Sequence, residues 1–201
     1  MAPSLPGPHR AAIVLACAYM AAIAGGRQNI KYALKPTVTL LTAWPTLKTG
    51  PRGIFVGLIF SALGDIFLII PREDMFIPGL LSFLVAHVLY AVSFKTRMQF
   101  SWTAAPLAVF AGTMALKLRP GVAQEDAVVQ IGVLVYITAI VAMAYTATLT
   151  KDATLIVGTL LFCVSDSILA WAKFIHSYAW SELGVMSTYY AAQVCIAAAH
   201  C

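Results

Sequence analysis

Charged residues are scarce in this chain. Only 10% of its 201 residues are Asp, Glu, Lys or Arg, whereas 61% are hydrophobic. A soluble domain carries about 25% charged residues, and a soluble core could not bury this much apolar surface, so a soluble globular protein is excluded. The basic residues stand singly between apolar runs, which is typical of anchors beside lipid headgroups. The net charge of +5 therefore does not indicate a nucleic-acid partner.

The sequence also lacks the common motifs of soluble catalysis. It contains no Ser nucleophile elbow, phosphate-binding glycine loop or His-x-x-x-His zinc motif. Its four cysteines show no C-x-x-C spacing, and three of them lie within apolar runs. We expect these cysteines to be small apolar residues rather than disulfides or metal ligands, and we predict no cofactor.

Apolar runs fill most of the chain and predict an all-α, polytopic membrane helical bundle of about eight transmembrane helices. Residues 1–201 are predicted to form a single integral-membrane domain. The first run is predicted to be a retained helix rather than a cleaved signal peptide, because no positive charge precedes His9. The predicted helices cover residues 10–26, 36–47, 53–70, 75–94, 101–116, 126–149, 153–174 and 182–200.

Two helix boundaries depend on helix-breaking residues. Gly25 and Gly26 predict a break before the second helix, and Pro36 predicts its start, where a missing N–H is no loss. Residues 117–121, which include Pro120, are predicted to form a turn after the fifth helix. Basic residues divide almost evenly between the two sides of the predicted bundle, so the positive-inside rule leaves its orientation open.

Two aspartates lie inside the apolar runs. Asp65 is in the third predicted helix and Asp166 in the seventh, each directly after a small residue. A carboxylate at the centre of a membrane helix costs about 2.5–3.5 kcal/mol on insertion scales, so it faces protein or water and a functional site is the default hypothesis. Because these two helices run in the same direction, we expect both acids roughly 8–12 Å below one membrane face. Lys35 and Arg72 are expected at the mouth of the resulting pocket.

Further polar side chains are expected at a similar depth. His87 and Tyr90 stand three residues apart and share a helix face. Each of these residues could alternatively form a hydrogen bond between helices. Lys35 could alternatively extend its amine to the membrane interface. Their convergence on one depth favours a site. The expected members are His87, Tyr90, Ser165, Tyr189, Tyr190 and Gln193.

Two carboxylates without an evident metal site indicate acid–base chemistry. Burial and a neighbouring carboxylate favour the protonated form of one acid, which can donate a proton, while the other stays ionised and stabilises a cation. Asp65, His87 and Asp166 are an alternative ligand set for a zinc-dependent intramembrane lipid hydrolase. A proton-coupled lipid or solute transporter using the same acids is a further hypothesis, and so is a purely structural membrane protein.

Four ordered stretches carry a resemblance to a known family. They are SALGDIFLIIP at 61–71, FIPGLLSFLVAHVLY at 76–90, LLFCVSDSILAW at 160–171 and TYYAAQVCI at 188–196. Together they resemble the lysoplasmalogenase family, which comprises the bacterial YhhN proteins and their animal transmembrane relatives. Lys35-Pro36 also matches the family motif in the second helix. The last two stretches are most similar to the animal members.

The resemblance implies hydrolysis of the vinyl-ether bond of lysoplasmalogens, 1-alkenyl glycerophosphocholine or -ethanolamine. The products are a fatty aldehyde and the glycerophospho-base, and no bound metal is predicted. On this hypothesis Asp65 and Asp166 share the acid and base roles, with neither role assigned to either residue, and the other polar side chains position water and substrate.

Lys35 and Arg72 would bind the phosphate. The expected partners are the lysophospholipid substrate and membrane lipids, and a homodimer is left open. The expected location is the endoplasmic reticulum or another endomembrane.

Overall fold

The fold is described by a computed structural model that covers residues 7–70, 72, 75–94, 96 and 99–200, without the side chains of 28–30. Within these residues the chain forms eight α-helices and no β-strand. In chain order they are α1 (Gly7–Ala24), α2 (Gln28–Thr49), α3 (Arg52–Ile69), α4 (Phe76–Ser93), α5 (Ala104–Val122), α6 (Ala127–Thr150), α7 (Ala153–Phe174) and α8 (Ser181–Ala198).

The all-α prediction is confirmed, and the membrane prediction is confirmed for part of the chain. Five of the described helices, α1, α3, α4, α6 and α7, are long and apolar enough to cross a membrane. Their outer faces expose large apolar side chains such as Val88, Val128 and Ile131, which lipid solvates better than water does. The protein is therefore an integral membrane protein.

Helix α2 corrects the predicted second helix. The prediction placed this helix at 36–47, whereas α2 begins well before Pro36 and contains both Pro36 and Pro45. Threonine hydroxyls beside each proline donate hydrogen bonds to carbonyls of the preceding turn. Such side-chain donors let proline-containing helices persist in apolar surroundings. The extra turns place Lys31 and Lys35 on one helix face, since they stand four residues apart.

Helix α5 also continues past its predicted end and includes Pro120. Leu118 is only 2% exposed, so burial of this side chain favours continuing the helix. Gly121 approaches the end of α7 so closely that a Cβ atom would overlap the carbonyl oxygen of Phe174. The predicted turn at 117–121 is therefore wrong, because tertiary packing outweighs the local effect of proline.

The helix pair α3–α4 packs closely through glycine. A Cβ atom on Gly57 would lie 2.5 Å from the ring of Tyr90, and one on Gly64 would lie 2.5 Å from the ring of Phe83. Small residues at such positions let membrane helices approach each other and gain dispersion contacts. This close packing fixes the face of α3 that carries Asp65.

A tight turn joins α6 to α7. Lys151 adopts a left-handed conformation with φ of 61°, and the side chain of Asp152 accepts a hydrogen bond from the backbone N–H of Leu155 at 3.0 Å. A carboxylate at this position caps one of the free N–H groups at the helix start. The cap fixes the start of α7, the helix that carries Asp166.

Candidate active site

A cavity of about 610 Å³ opens between α1, α2, α3, α4, α7 and α8. We call it the polar cavity. Its walls are apolar where α4 contributes Phe76 and Phe83, and they carry charged side chains elsewhere. Among the residues that the structure describes, three cations and three carboxylates line it, so their formal charges balance. These charged residues are Lys31, Lys35, Asp65, Asp166, Lys173 and Glu182.

Asp65 is buried at one side of this cavity, with 1% exposure. Its Oδ2 atom accepts hydrogen bonds from the hydroxyls of Thr39 at 2.7 Å and Tyr189 at 2.8 Å. The Nζ atom of Lys35 lies 3.9 Å from Oδ1. Hydroxyl and ammonium donors are the partners that a buried carboxylate needs. Asp65 therefore links α2, α3 and α8 and anchors the Lys35 side chain.

Asp166 has a different set of partners, supplied by α4 and α6. Its Oδ2 atom accepts a short hydrogen bond from the Tyr136 hydroxyl and lies 3.2 Å from Nε2 of His87. The Nε2 atom of His87 is also 2.9 Å from the Tyr136 hydroxyl oxygen. His87 is fully buried, whereas the Asp166 side chain is 12% exposed. Asp166 is therefore the more accessible of the two predicted acids.

The two aspartates line one cavity but belong to separate hydrogen-bond networks. Within the described part of the chain, no hydrogen bond or ion pair joins Asp65 to Asp166. Among the same residues, no group of three His, Cys, Asp or Glu side chains is arranged to hold a metal ion. Asp65, His87 and Asp166 are thus not assembled as the alternative zinc ligand set.

A charged pair stands on the α8 side of the cavity. Lys31 donates hydrogen bonds to both carboxylate oxygens of Glu182 at 2.8 Å, and the hydroxyl of Tyr19 lies 3.4 Å from one of them. The ammonium group of Lys173 lies 5.0 Å from the ring centroid of Phe76. Because Lys31 is already neutralised by Glu182 and Lys35 has only a long ion pair, Lys35 is the better placed to receive an anionic ligand.

A second cavity, of about 60 Å³, adjoins the first. We call it the apolar slot. It shares Leu68, Phe76, Phe83, Asp166 and Leu169 with the polar cavity. The rest of its wall is nearly all apolar and comes mainly from α5, α6 and α7. Asp166 therefore stands where a charged space meets an apolar one.

Tyr90, Tyr190 and Gln193 line neither of these two cavities. Tyr90 donates a hydrogen bond to Oε1 of Gln193 at 2.9 Å, and the Tyr190 hydroxyl donates to the backbone carbonyl of Lys35 at 3.3 Å. The structure thus places these three side chains in contacts between helices rather than on the walls of the two cavities. His87, one turn from Tyr90, also lines neither cavity, but it contacts an aspartate that lines both.

Some of the remaining predicted residues line the polar cavity and others do not. Tyr189 lines the polar cavity and binds Asp65. Ser165 also lines the cavity, but its hydroxyl donates to the carbonyl of Val185 at 3.0 Å, so it braces α8. Arg72 is exposed after the end of α3 and is not among the lining residues.

Sequence reasoning missed several polar partners. Thr39 and Tyr136 donate hydrogen bonds to the two aspartates, Glu182 binds Lys31, and Tyr19 donates to Glu182. Thr39 follows Lys35 by four residues on α2, which is a usable signal for a shared helix face. A single tyrosine hydroxyl in an apolar helix, such as Tyr136, carries no comparable signal.

Comparison with known proteins decides the family. Residues 30–200 match the YhhN family. The chain belongs to the YhhN family. This confirms the resemblance that the four sequence stretches indicated, and the match covers both aspartates and every helix around the polar cavity except α1 and the first residues of α2.

Curated relatives of this YhhN-family chain are animal proteins. Lysoplasmalogenase TMEM86A of Bos taurus is 38% identical over 152 residues, which are 72% of this chain and 63% of the relative. Lysoplasmalogenase TMEM86B of Homo sapiens is 34% identical over 140 residues, 69% of this chain and 59% of the relative. The chain thus spans about three fifths of the length of these relatives. No solved structure matches it.

Proposed function

We propose that this YhhN-family protein is a lysoplasmalogenase, which hydrolyses the vinyl-ether bond of 1-alkenyl lysophospholipids. Its curated relatives carry that name. The observation that carries the proposal is the position of Asp166, which lines both the polar cavity and the apolar slot. A proton donor at this junction suits a bond that joins an apolar chain to a polar headgroup.

The order of groups in the substrate follows the order of the two cavities. A lysoplasmalogen has one alkenyl chain, then the ether oxygen, then glycerol and a charged phosphodiester. With the first part of the chain in the apolar slot and the headgroup in the polar cavity, the alkenyl ether lies beside Asp166. The slot receives apolar chain because its lining offers dispersion contacts and few polar partners.

Lys35 is the proposed phosphate ligand. Its side chain is 12% exposed and its Nζ atom lies 3.9 Å from Oδ1 of Asp65, so the amine is held at the cavity wall by a long ion pair. A phosphate oxygen offers a charge-assisted hydrogen bond to such an ammonium group. A contact between Arg72 and the phosphate stays a prediction.

The chemistry needs a positioned general acid. The carboxylic acid of Asp166 transfers its proton to the alkenyl carbon remote from oxygen, which leaves an oxocarbenium ion between the chain and the glycerol oxygen. The resulting carboxylate lies beside this cation and stabilises it. We assign this acid role to Asp166 rather than to Asp65, because Asp65 is 1% exposed and engaged with Lys35, Thr39 and Tyr189.

Water then completes the reaction. It adds to the oxocarbenium carbon and gives its proton to the Asp166 carboxylate, which restores the acid and forms a hemiacetal. The hemiacetal breaks at the bond to the glycerol oxygen, the proton of its hydroxyl group passes through water to that oxygen, and the aldehyde is released. General acid–base assistance of this kind contributes about 10²- to 10⁴-fold to the rate. Asp65 acts at a distance, by holding Lys35 and through its negative charge.

The membrane arrangement is proposed to include all eight helices in a single domain. Helices α2, α5 and α8 have 22, 19 and 18 residues, lengths within the range of about 17–25 residues for a membrane span. Charged and polar side chains at the polar cavity lower the hydropathy of α2 and α8, and Lys117 and Arg119 lower that of α5. With eight crossings, reporter tags before α1 and after α8 report the same side of the membrane. An opposite-side result would contradict the eight-span arrangement.

The cell compartment and assembly are also proposals. The proposed location is the endoplasmic reticulum or another endomembrane. Colocalisation of the tagged full chain tests it. A homodimer is the alternative to a monomer, and light scattering of the detergent-solubilised protein distinguishes the two.

The activity is tested with purified protein in deuterated buffer. We expect a 1-alkenyl lysophospholipid to yield free aldehyde carrying one deuterium on the carbon next to the carbonyl, whereas the matched 1-alkyl lipid yields none. Rapid reduction to the alcohol before mass spectrometry preserves the label. Absence of aldehyde would overturn the proposal, and proton-coupled uptake of a lipid into vesicles without hydrolysis would favour a transporter.

A further inference from the structure

Asp166 has an asymmetric environment that the proposed reaction alone does not require. Both of its protein partners, the Tyr136 hydroxyl and His87 Nε2, contact the same oxygen, Oδ2. Across the residues that the structure describes, Oδ1 receives no hydrogen bond. The two carboxylate oxygens are therefore chemically distinct before any substrate binds.

The state of His87 follows from its surroundings. Its ring is fully buried, and its Nδ1 atom has no hydrogen-bond partner among the described residues. The ring also packs against Phe162, with centroids 4.7 Å apart. A protonated Nδ1 would be an unsatisfied buried donor, which costs more than an unpaired acceptor in an apolar site. Nε2, which has two partners, is therefore the ring nitrogen that donates in this site.

These contacts form a directed chain of donors. The Nε2 atom of His87 lies 2.9 Å from the Tyr136 oxygen and 3.2 Å from Oδ2 of Asp166. The Tyr136 hydroxyl in turn donates to Oδ2. Successive hydrogen bonds of this kind polarise each other. Because Oδ2 already accepts from two donors, a proton on Asp166 is stable only on Oδ1.

We propose that Tyr136 and His87 are positioning residues that place the acidic proton of Asp166 on Oδ1, the oxygen left for the substrate. This inference deepens the proposed lysoplasmalogenase activity and rests on it. Both residues act through Asp166: the Tyr136 hydroxyl donates to Oδ2, although the Tyr136 side chain also lines the apolar slot, and His87 lines neither cavity. Tyr136 comes from α6 and His87 from α4, so the bundle itself selects the reactive oxygen.

The first test removes only the Tyr136 hydroxyl. We expect Tyr136→Phe to lower kcat for aldehyde release by about tenfold or more, a share of the general-acid contribution, while KM changes less than threefold. Tyr145→Phe is the matched control, because Tyr145 lies on the same helix and its hydroxyl donates to the carbonyl of Gln99 at 2.6 Å. A wild-type kcat in Tyr136→Phe, with an active wild type, would overturn the positioning role and leave the proposed function standing.

The second test concerns His87. We expect His87→Gln, which keeps an N–H donor, to retain at least five times the kcat of His87→Leu, which keeps only bulk. Equal loss in both variants would overturn the donor role of His87. A structural role alone would lower the melting temperature of both and would not separate their kcat values.

The third test does not depend on activity. Difference infrared spectroscopy of the purified protein assigns the protonated carboxyl band of Asp166 as the band lost in Asp166→Asn, which retains Asp65 and Glu182. We expect this band to move to higher frequency in Tyr136→Phe, because its carbonyl oxygen loses a hydrogen bond, and to stay in place in Tyr145→Phe. An unmoved band in Tyr136→Phe would overturn the proposal even if the wild type released no aldehyde.

Discussion

Replacing Lys35 by Met tests the headgroup end of the site. The substitution removes the ammonium charge while keeping much of the length of the side chain. In the wild type the Nζ atom is 3.9 Å from Oδ1 of Asp65, and the Lys35 side chain is 12% exposed. The contact between the Tyr190 hydroxyl and the Lys35 carbonyl involves backbone and is unaffected. Loss of the charge is therefore the main change.

The expected effect on substrate binding follows from the contact that is lost. A hydrogen bond to a charged group contributes about 1.5–3 kcal/mol, which corresponds to roughly a ten- to 150-fold rise in KM. We expect kcat to fall less than threefold, because Lys35 makes no contact with Tyr136, His87 or Asp166 in the described structure.

A stability effect accompanies the loss. Removing one partner of a buried ion pair costs about 3–5 kcal/mol when the other charge has no remaining partner. Here the pair is long, and Thr39 and Tyr189 still donate to Asp65, so we expect about 1–2 kcal/mol. Adding Asp65→Asn to Lys35→Met should recover part of the lost free energy of unfolding. The KM of this double variant should stay as high as that of Lys35→Met.

The assay varies the surface concentration of a 1-alkenyl lysophospholipid in mixed micelles and measures aldehyde. Lys48→Met is the matched control, because Lys48 is exposed near the other end of the same helix. An unchanged KM in Lys35→Met would refute the phosphate role. A fall in kcat with KM unchanged would show instead that Lys35 acts in the chemical step.

Two further substitutions probe the scaffold around the site. Gly64→Ala should destabilise the protein by about 1–3 kcal/mol, because the added Cβ atom would lie 2.5 Å from the Phe83 ring; a melting temperature equal to that of wild type would contradict the close α3–α4 packing. Lys31→Met should change the free energy of unfolding by less than about 1 kcal/mol, because the Glu182 side chain is 46% exposed and can be solvated, and a loss of several degrees in melting temperature would count against this view.

The sequence was sufficient to predict the fold class and to identify the two aspartates. Asp65 and Asp166 stand out because a carboxylate in an apolar run is costly, and both line one cavity. Helix boundaries were harder to predict where proline was present. Pro36 suggested the start of a helix and Pro120 a turn after one, yet α2 and α5 continue through them, because a broken backbone in apolar surroundings leaves more polar groups unpaired.

The fine structure of the site depends on which neighbour each helix face meets. His87 and Tyr90 are one turn apart, but His87 contacts Tyr136 and Asp166, whereas Tyr90 contacts Gln193. Depth in the membrane follows from sequence position, while the packing partner depends on contacts between distant helices. Tyr136 could not be predicted for this reason, since its distinguishing feature is its contact with Asp166.

The most direct measurement is the rate of aldehyde release by purified Asp166→Asn beside Asp152→Asn. Each variant removes one carboxylate: Asp166 lies within α7, and Asp152 caps its start. Asn at position 152 still caps the helix. We predict that Asp166→Asn loses about 10²- to 10⁴-fold in kcat with a melting temperature near that of wild type, while Asp152→Asn turns over normally. Wild-type turnover by Asp166→Asn would contradict the account.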